Sequence, residues 1–189
     1  MVRRRPARHG GGTLRQRHRD GRRRQDLATD ARAHRQSAIS AFKRRAWRGG
    51  RGFIAGEKGT IFRRDCASGK FAPVETGYGG SFFGIAGDER ALFAYGLRGT
   101  IYRSTDRGVT WAALKSPLRG AVTSAAPIES RHAVVFATSS GEATLYDEAT
   151  GAFQPLKTGR SAAITSVLAR DADALVFTSL EGASLVSAR

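Results

Sequence analysis

The stretch GTIYRSTDRGVTW, Gly99 to Trp111, sets a hydroxyl at Ser104 and a carboxylate at Asp106 two residues apart, with Gly108 and Trp111 following. Hydrolytic chemistry would need more: a nucleophile, a base and an acid brought together by tertiary structure. The tyrosines are Tyr78, Tyr95, Tyr102 and Tyr146. Tyr102 and Tyr146 sit on alternating strand patterns and read as packing residues, whereas Tyr78 lies in the loop TGYGGS. That loop lacks the strand-loop-helix frame and the Lys-Ser/Thr ending of a phosphate cradle. His132 is the only histidine after residue 51 and has no cysteine or histidine beside it, and Cys66 is the single cysteine. No disulfide within the chain, no catalytic triad, no metal site and no cofactor is expected. Glu57, Glu75, Asp88 and Glu89 read as solvated turn residues.

Turn building is the better reading of the segment. The Asp106 carboxylate can accept hydrogen bonds from backbone N–H groups of its own turn, Gly108 can supply a positive φ, and Trp111 can pack its ring between sheets. Ser104, Asp106, Gly108, Thr110 and Trp111 are therefore expected to close a hairpin rather than to catalyse.

The elements that position this segment repeat. FIAGEKGTIFR, LFAYGLRGTIYR, VVFATSSGEATLYD and LVFTSLEGASLVSA align, and their glycines Gly59, Gly99, Gly141 and Gly182 stand 40, 42 and 41 residues apart. Each unit reads as a short apolar strand, a Gly-containing turn, an alternating strand, a polar turn and an aromatic that starts another strand. The apolar runs SFFGIAG, AVTSAAP and AITSVLA precede three of them, which makes four strands per repeat. Gly56/Gly59 and Gly96/Gly99 suit hairpin loops that need φ > 0. No segment shows the 3.6-residue apolar spacing of a helical solenoid. Four short antiparallel strands every forty or so residues is the period of a β-propeller blade. The expected fold is all-β, a partial propeller of about three to four blades, with a two-sheet sandwich as the alternative.

Charge divides the chain. The formal net charge is +16, yet residues 1–51 hold 17 Lys+Arg against 3 Asp+Glu, so the remainder is nearly neutral. Residues 1–45 lack aliphatic periodicity and read as a disordered Arg-rich arm, with the repeat body at 46–189. Three accounts of the arm stand: a tail that binds nucleic acid or an acidic surface by counterion release, an organellar targeting peptide, and the favoured one, out-of-frame or mis-started sequence that leaves the true N-terminus missing. No apolar run is long enough to span a membrane, and no apolar core follows the arginines as in a secretory signal.

Ser104-Thr105-Asp106-Arg107-Gly108-Val109-Thr110-Trp111 matches the Ser-x-Asp-x-Gly-x-Thr-Trp pattern of the Asp-box, or BNR, repeat at every defined position. The preceding repeat keeps the frame from Arg63 to Phe71 but has Cys66 where Asp106 stands, and the third unit keeps only Gly151 and Phe153 of the pattern. GEKGTIFR, ETGYGGSFFGIAG and YGLRGTIYRSTDRGVTW together resemble the photosystem II assembly and stability factor family over roughly residues 52–189. The resemblance implies an Asp-box β-propeller that is not an enzyme and acts as an assembly or scaffold factor for a protein or membrane-protein partner, with no small-molecule substrate. It implies that Arg63 and Arg103, with Arg98 in the preceding turn, form the partner face. It also implies an exported, envelope or thylakoid-lumen setting for the intact protein. Family propellers close with more blades, so this chain reads as truncated, and open blade edges would invite self-association. A sialidase-like Asp-box glycoside hydrolase is the alternative, requiring an arginine cluster, a Tyr/Glu pair and an acid; nucleic-acid binding through the arm is the third.

Overall fold

A computed structural model describes residues 52–159 and 162–188, all of which belong to one compact unit. The arm at 1–45 lies outside the described residues. Fourteen strands and two short 3-10 turns make up the regular structure, with no α-helix among the described residues. The all-β expectation holds at this level.

The strands form four antiparallel sheets in chain order, each a meander of sequential neighbours. The first holds β1 (Phe53–Ala55), β2 (Thr60–Arg64) and β3 (Phe71–Glu75). The second holds β4 (Phe82–Gly87), β5 (Leu92–Gly96), β6 (Ile101–Ser104) and β7 (Ala112–Leu114). The third holds β8 (Val122–Ile128), β9 (Ala133–Thr138), β10 (Ala143–Asp147) and β11 (Phe153–Leu156). The fourth holds β12 (Ile164–Ala169), β13 (Ala174–Ser179) and β14 (Gly182–Ser187). The apolar runs SFFGIAG, AVTSAAP and AITSVLA supply β4, β8 and β12, so the four-strand unit read from the repeat is present in full in the second and third sheets.

Each sheet has a forward face, toward the next sheet in the chain, and a rear face, toward the preceding one. Side chains alternate between faces along a strand, and in the middle sheets both faces are covered. In β5, Leu92 and Ala94 pack on the first sheet while Phe93 and Tyr95 pack on the third. In β9, Val134 and Phe136 pack on the second sheet while Val135 and Ala137 pack on the fourth. Two-sided burial explains why LFAYG and AVVFAT are continuous apolar runs without a polar face. Burying each of Phe93, Phe136 and Phe177 contributes about 2–3 kcal/mol of transfer free energy.

β4, β8 and β12 also share a one-residue register irregularity, at Phe82/Gly84, Val122/Ser124 and Ile164/Ser166. A bulge leaves a residue outside the ladder and re-aims its side chain. In β8 that irregularity is used to tie two sheets together. The Thr123 hydroxyl donates to the Ile164 carbonyl at 2.6 Å, and the Ser124 hydroxyl accepts the Val167 N–H at 3.1 Å.

The four repeat glycines all have positive φ: 66° at Gly59, 68° at Gly99, 83° at Gly141 and 114° at Gly182. The expectation that both members of each glycine pair need φ > 0 is corrected at Gly56, which has no positive φ, and at Gly96. The Gly96 φ of −173° is ordinary extended backbone; a side chain is excluded there because a Cβ would lie 2.1 Å from the Ser81 carbonyl oxygen.

Candidate functional site

Ser104 ends β6 and Ala112 begins β7, so the segment between them is the hairpin loop joining the third and fourth strands of the second sheet. Asp106 is its centre. Its carboxylate accepts the Ser104 hydroxyl at 2.8 Å, the Val109 N–H at 3.0 Å, the Thr110 N–H at 2.9 Å and the Thr110 hydroxyl at 2.6 Å. The Ser104 oxygen in turn accepts the Gly108 N–H at 2.8 Å. Desolvation acts to raise the carboxyl pKa, but the bonds from Thr110, Ser104 and Val109 outweigh it and hold the value down at about 2. A carboxylate so occupied has little capacity left to move protons near neutral pH.

The loop also braces two sheets. Gly108 has φ 78°, and a Cβ there would lie 2.3 Å from Cε1 of Phe53 in β1. Trp111 packs on the cluster between the first and second sheets that includes Phe53, Ile61 and Phe82. Its indole Nε1 is buried without a hydrogen-bond acceptor, so the ring contributes through packing alone.

The corresponding loops of the neighbouring sheets have carboxylates of their own, which a search in the frame of Asp106 passes over. Asp65 accepts the Ser68 N–H and hydroxyl, each at 2.7 Å, and Asp147 accepts the Ala149 and Thr150 N–H groups, each at 2.9 Å. The signal was present as the shared phrase Asp-x-Ala-(Ser/Thr)-Gly-x-Phe, DCASGKF and DEATGAF. Cys66 is a free, exposed residue of the turn after Asp65. A further pair follows the first strands of the second and fourth sheets: Asp88 accepts the N–H groups of Arg90 and Ala91, and Asp171 those of Asp173 and Ala174. Reading Asp88 as simply solvated is corrected, since its side chain is only 12% exposed.

The three arginines occupy different surroundings. Arg63 and Arg103 take equivalent register places, opposite Phe53 and Phe93. Arg103 reaches the third sheet, where it meets Glu148 at 3.5 Å and lies 5.9 Å from the centre of the Phe93 ring. Its Nε is buried without a partner. Burial pushes the Glu148 carboxyl up, Asp88 adds to that, and Arg103, Arg90 and His132 oppose it. Nearby, Arg90 Nη1 stands 2.9 Å from His132 Nε2. Nothing in the spacing of these residues along the chain signals that they meet.

Arg98 lies at the opposite end of β6, in the 3-10 turn Leu97–Gly99, with a left-handed φ of 55°. It borders an open groove of about 440 Å³ together with Tyr78, Tyr102, Lys115 and Ser116. Lys115 and Ser116 were not anticipated as neighbours of Arg98.

The tyrosines are engaged in ring packing. Tyr102 contacts Tyr78 and Phe82, and Tyr146 contacts Phe93 and Phe153. Burial pushes the Tyr95 hydroxyl up to about 12. Among the described residues, no three His, Cys, Asp or Glu side chains gather to hold a metal ion, and no helix is long and apolar enough to cross a membrane.

No protein-family model matches the chain, and no curated protein gives a significant match. Among solved structures it is similar to the computationally designed Ika4 protein, at 19% identity and a TM-score of 0.64, over 80% of this chain and 92% of that one. It is also similar to the computationally designed Ika8 protein, at 20% identity and a TM-score of 0.60, over 79% of this chain and 46% of that one. The chain thus spans less than half of the Ika8 protein, and the likeness at these identities concerns the fold.

Proposed function

We propose that the four sheets are successive blades of a β-propeller arc that serves as a non-enzymatic binding module, resembling the photosystem II assembly and stability factors and acting as an assembly or scaffold factor for a protein or membrane-protein partner. The blade reading is supported by four meanders stacked in chain order, with β1, β4, β8 and β12 against one another, and by an Asp-box closing the outer hairpin of the second. The observation that carries the binding reading is the groove at Arg98. Two cations beside two tyrosines and a hydroxyl suit an acidic segment of a partner, because carboxylates accept charge-assisted bonds from Arg and Lys while the tyrosine rings cover apolar stems. Of the three arginines assigned to the partner face, Arg98 is the direct contact in this proposal. Arg103, committed to Glu148, positions the adjoining sheets, and Arg63 holds the equivalent place in the first.

The test titrates the full chain into a fluorescent Glu-rich peptide at two salt concentrations, comparing wild type with Arg98→Glu/Lys115→Glu. The expected result is binding that weakens at least about tenfold in the double variant, the loss of roughly 1.4 kcal/mol or more. Unchanged binding would remove the groove from the proposal and leave the basic arm as the attachment point. Turnover of a fluorogenic sialoside would instead favour the glycoside hydrolase alternative.

A further inference from the structure

The interface between the third and fourth sheets is made by a defined set of residues on the forward face of the third. Ala126, Val135 and Leu145 form an apolar row across β8, β9 and β10, and Thr123 and Ser124 bond to the main chain of β12. The fourth sheet repeats this set in register. Leu168, Val176 and Leu185 stand opposite one another across β12, β13 and β14, and the pair Thr165-Ser166 occupies the bulge. This row points away from the third sheet, because the alternate residues Val167, Leu175 and Phe177 face it. Leu168 is 58% exposed and Leu185 61% exposed, and Thr165 and Ser166 are exposed as well. Thr165 turns its hydroxyl back onto the Thr178 carbonyl of its own sheet at 3.1 Å.

The rear face of the first sheet has the complementary character. Trp111 and Phe153 begin or precede the fourth strands of the second and third sheets, and each packs on the cluster shared with the sheet before it. Phe71 holds that place in the first sheet and is 45% exposed. Ile54 and Phe62, opposite one another in β1 and β2, share its face. Both ends of the arc thus carry the side chains that the internal interfaces bury.

We propose that the forward face of the fourth sheet docks on the rear face of the first sheet of a second copy of this chain, head to tail, continuing the internal sheet stacking between molecules. Such a contact joins two different surfaces, so it propagates unless rotation closes it into a ring. It rests on the arc reading given above but not on the Arg98 groove.

Sedimentation velocity of the full chain tests this over about 1–100 μM, a range that detects dissociation free energies near 6–8 kcal/mol, in about 0.5 M salt to screen the charged arm. Wild type is expected to form dimers or larger species. Leu168→Glu/Leu185→Glu and, separately, Phe71→Glu are expected to be monomeric, with unchanged far-ultraviolet circular dichroism because all three positions are exposed. The two monomeric variants, when mixed, should form a 1:1 dimer and stop there, since one intact head meets one intact tail. A monomeric wild type, or association that survives the leucine substitutions, would overturn the proposal. So would dimers of Phe71→Glu alone, which would place the contact between two fourth sheets. None of these outcomes bears on the effect of Arg98→Glu/Lys115→Glu, so the two readings fail separately.

Discussion

Replacing Asp106 measures how much one loop contributes to holding two sheets together. Asp106→Ala removes the acceptor for the Ser104 and Thr110 hydroxyls and for the Val109 and Thr110 N–H groups. The loop is exposed on its outer side, so water replaces part of what is lost, and the cost at pH 7 is about 2 kcal/mol rather than the sum of four bonds. Asp106→Asn keeps the shape but puts an amide where Oδ2 accepts from Thr110, and about half of that cost remains. The carboxyl of the folded state titrates at about 2, below its ordinary 3.8. The ionised form therefore stabilises the fold above pH 4, and that contribution fades as pH falls from 3.8 through 2. Because water screens an exposed carboxylate, the contribution is about 1 kcal/mol, less than the shift alone would give. Urea unfolding followed by tryptophan fluorescence, run for wild type and both variants between pH 7 and 2, reads these quantities. The margin of wild type over Asp106→Asn should shrink by about 1 kcal/mol across the acid range. A margin that stays constant with pH, or an alanine variant within about 0.5 kcal/mol of wild type at pH 7, would refute the account of the loop.

Four further outcomes follow from the structure. Gly108→Ala should cost about 3 kcal/mol, from a left-handed backbone and a methyl driven against the Phe53 ring, whereas Arg107→Gly, at φ 62°, should stabilise by about 1 kcal/mol in the same unfolding assay. Trp111→Ala should cost about 3 kcal/mol by leaving a cavity between the first and second sheets, checked by the shift in urea midpoint at constant slope. Arg103→Ala should destabilise by about 2–3 kcal/mol at pH 7, because Glu148 loses its cation in a largely buried site. That loss should diminish toward pH 4, since the raised Glu148 pKa lets the carboxyl take up a proton early in acid; unfolding curves at the two pH values check it.

The repeat was legible because its period is written in backbone demands. Gly59, Gly99, Gly141 and Gly182 mark turns that need positive φ, and the apolar runs between them mark strands buried on both faces. Asp106 was legible for the same reason, since its partners lie within four residues of it. Asp65 and Asp147 were equally local, yet they belong to a different turn pattern, and alignment on Asp106 hid them. Arg103 with Glu148, and Arg90 with His132, were not legible. These pairs join different sheets, and only the packing of β5 and β6 against β9 and β10 brings them together. The groove at Arg98 is of the same kind, since Tyr78 arrives from the connection before β4.

Two-sided burial of β5 and β9 has a further consequence for how the molecule opens. Packing clusters join each sheet only to its neighbours in the chain, so stability is distributed as in a one-dimensional array, with each interface adding cooperativity to the units beside it. Among the described residues, each end sheet packs on one neighbouring sheet rather than two and opens more readily by local fluctuation. β5 and β9 can exchange their amide protons only when two interfaces are lost at once. Hydrogen exchange should therefore be slowest in Leu92–Gly96 and Ala133–Thr138 and faster in β2 and β13. Pairing with a second copy would raise protection at the two ends while leaving the middle of the array as it was.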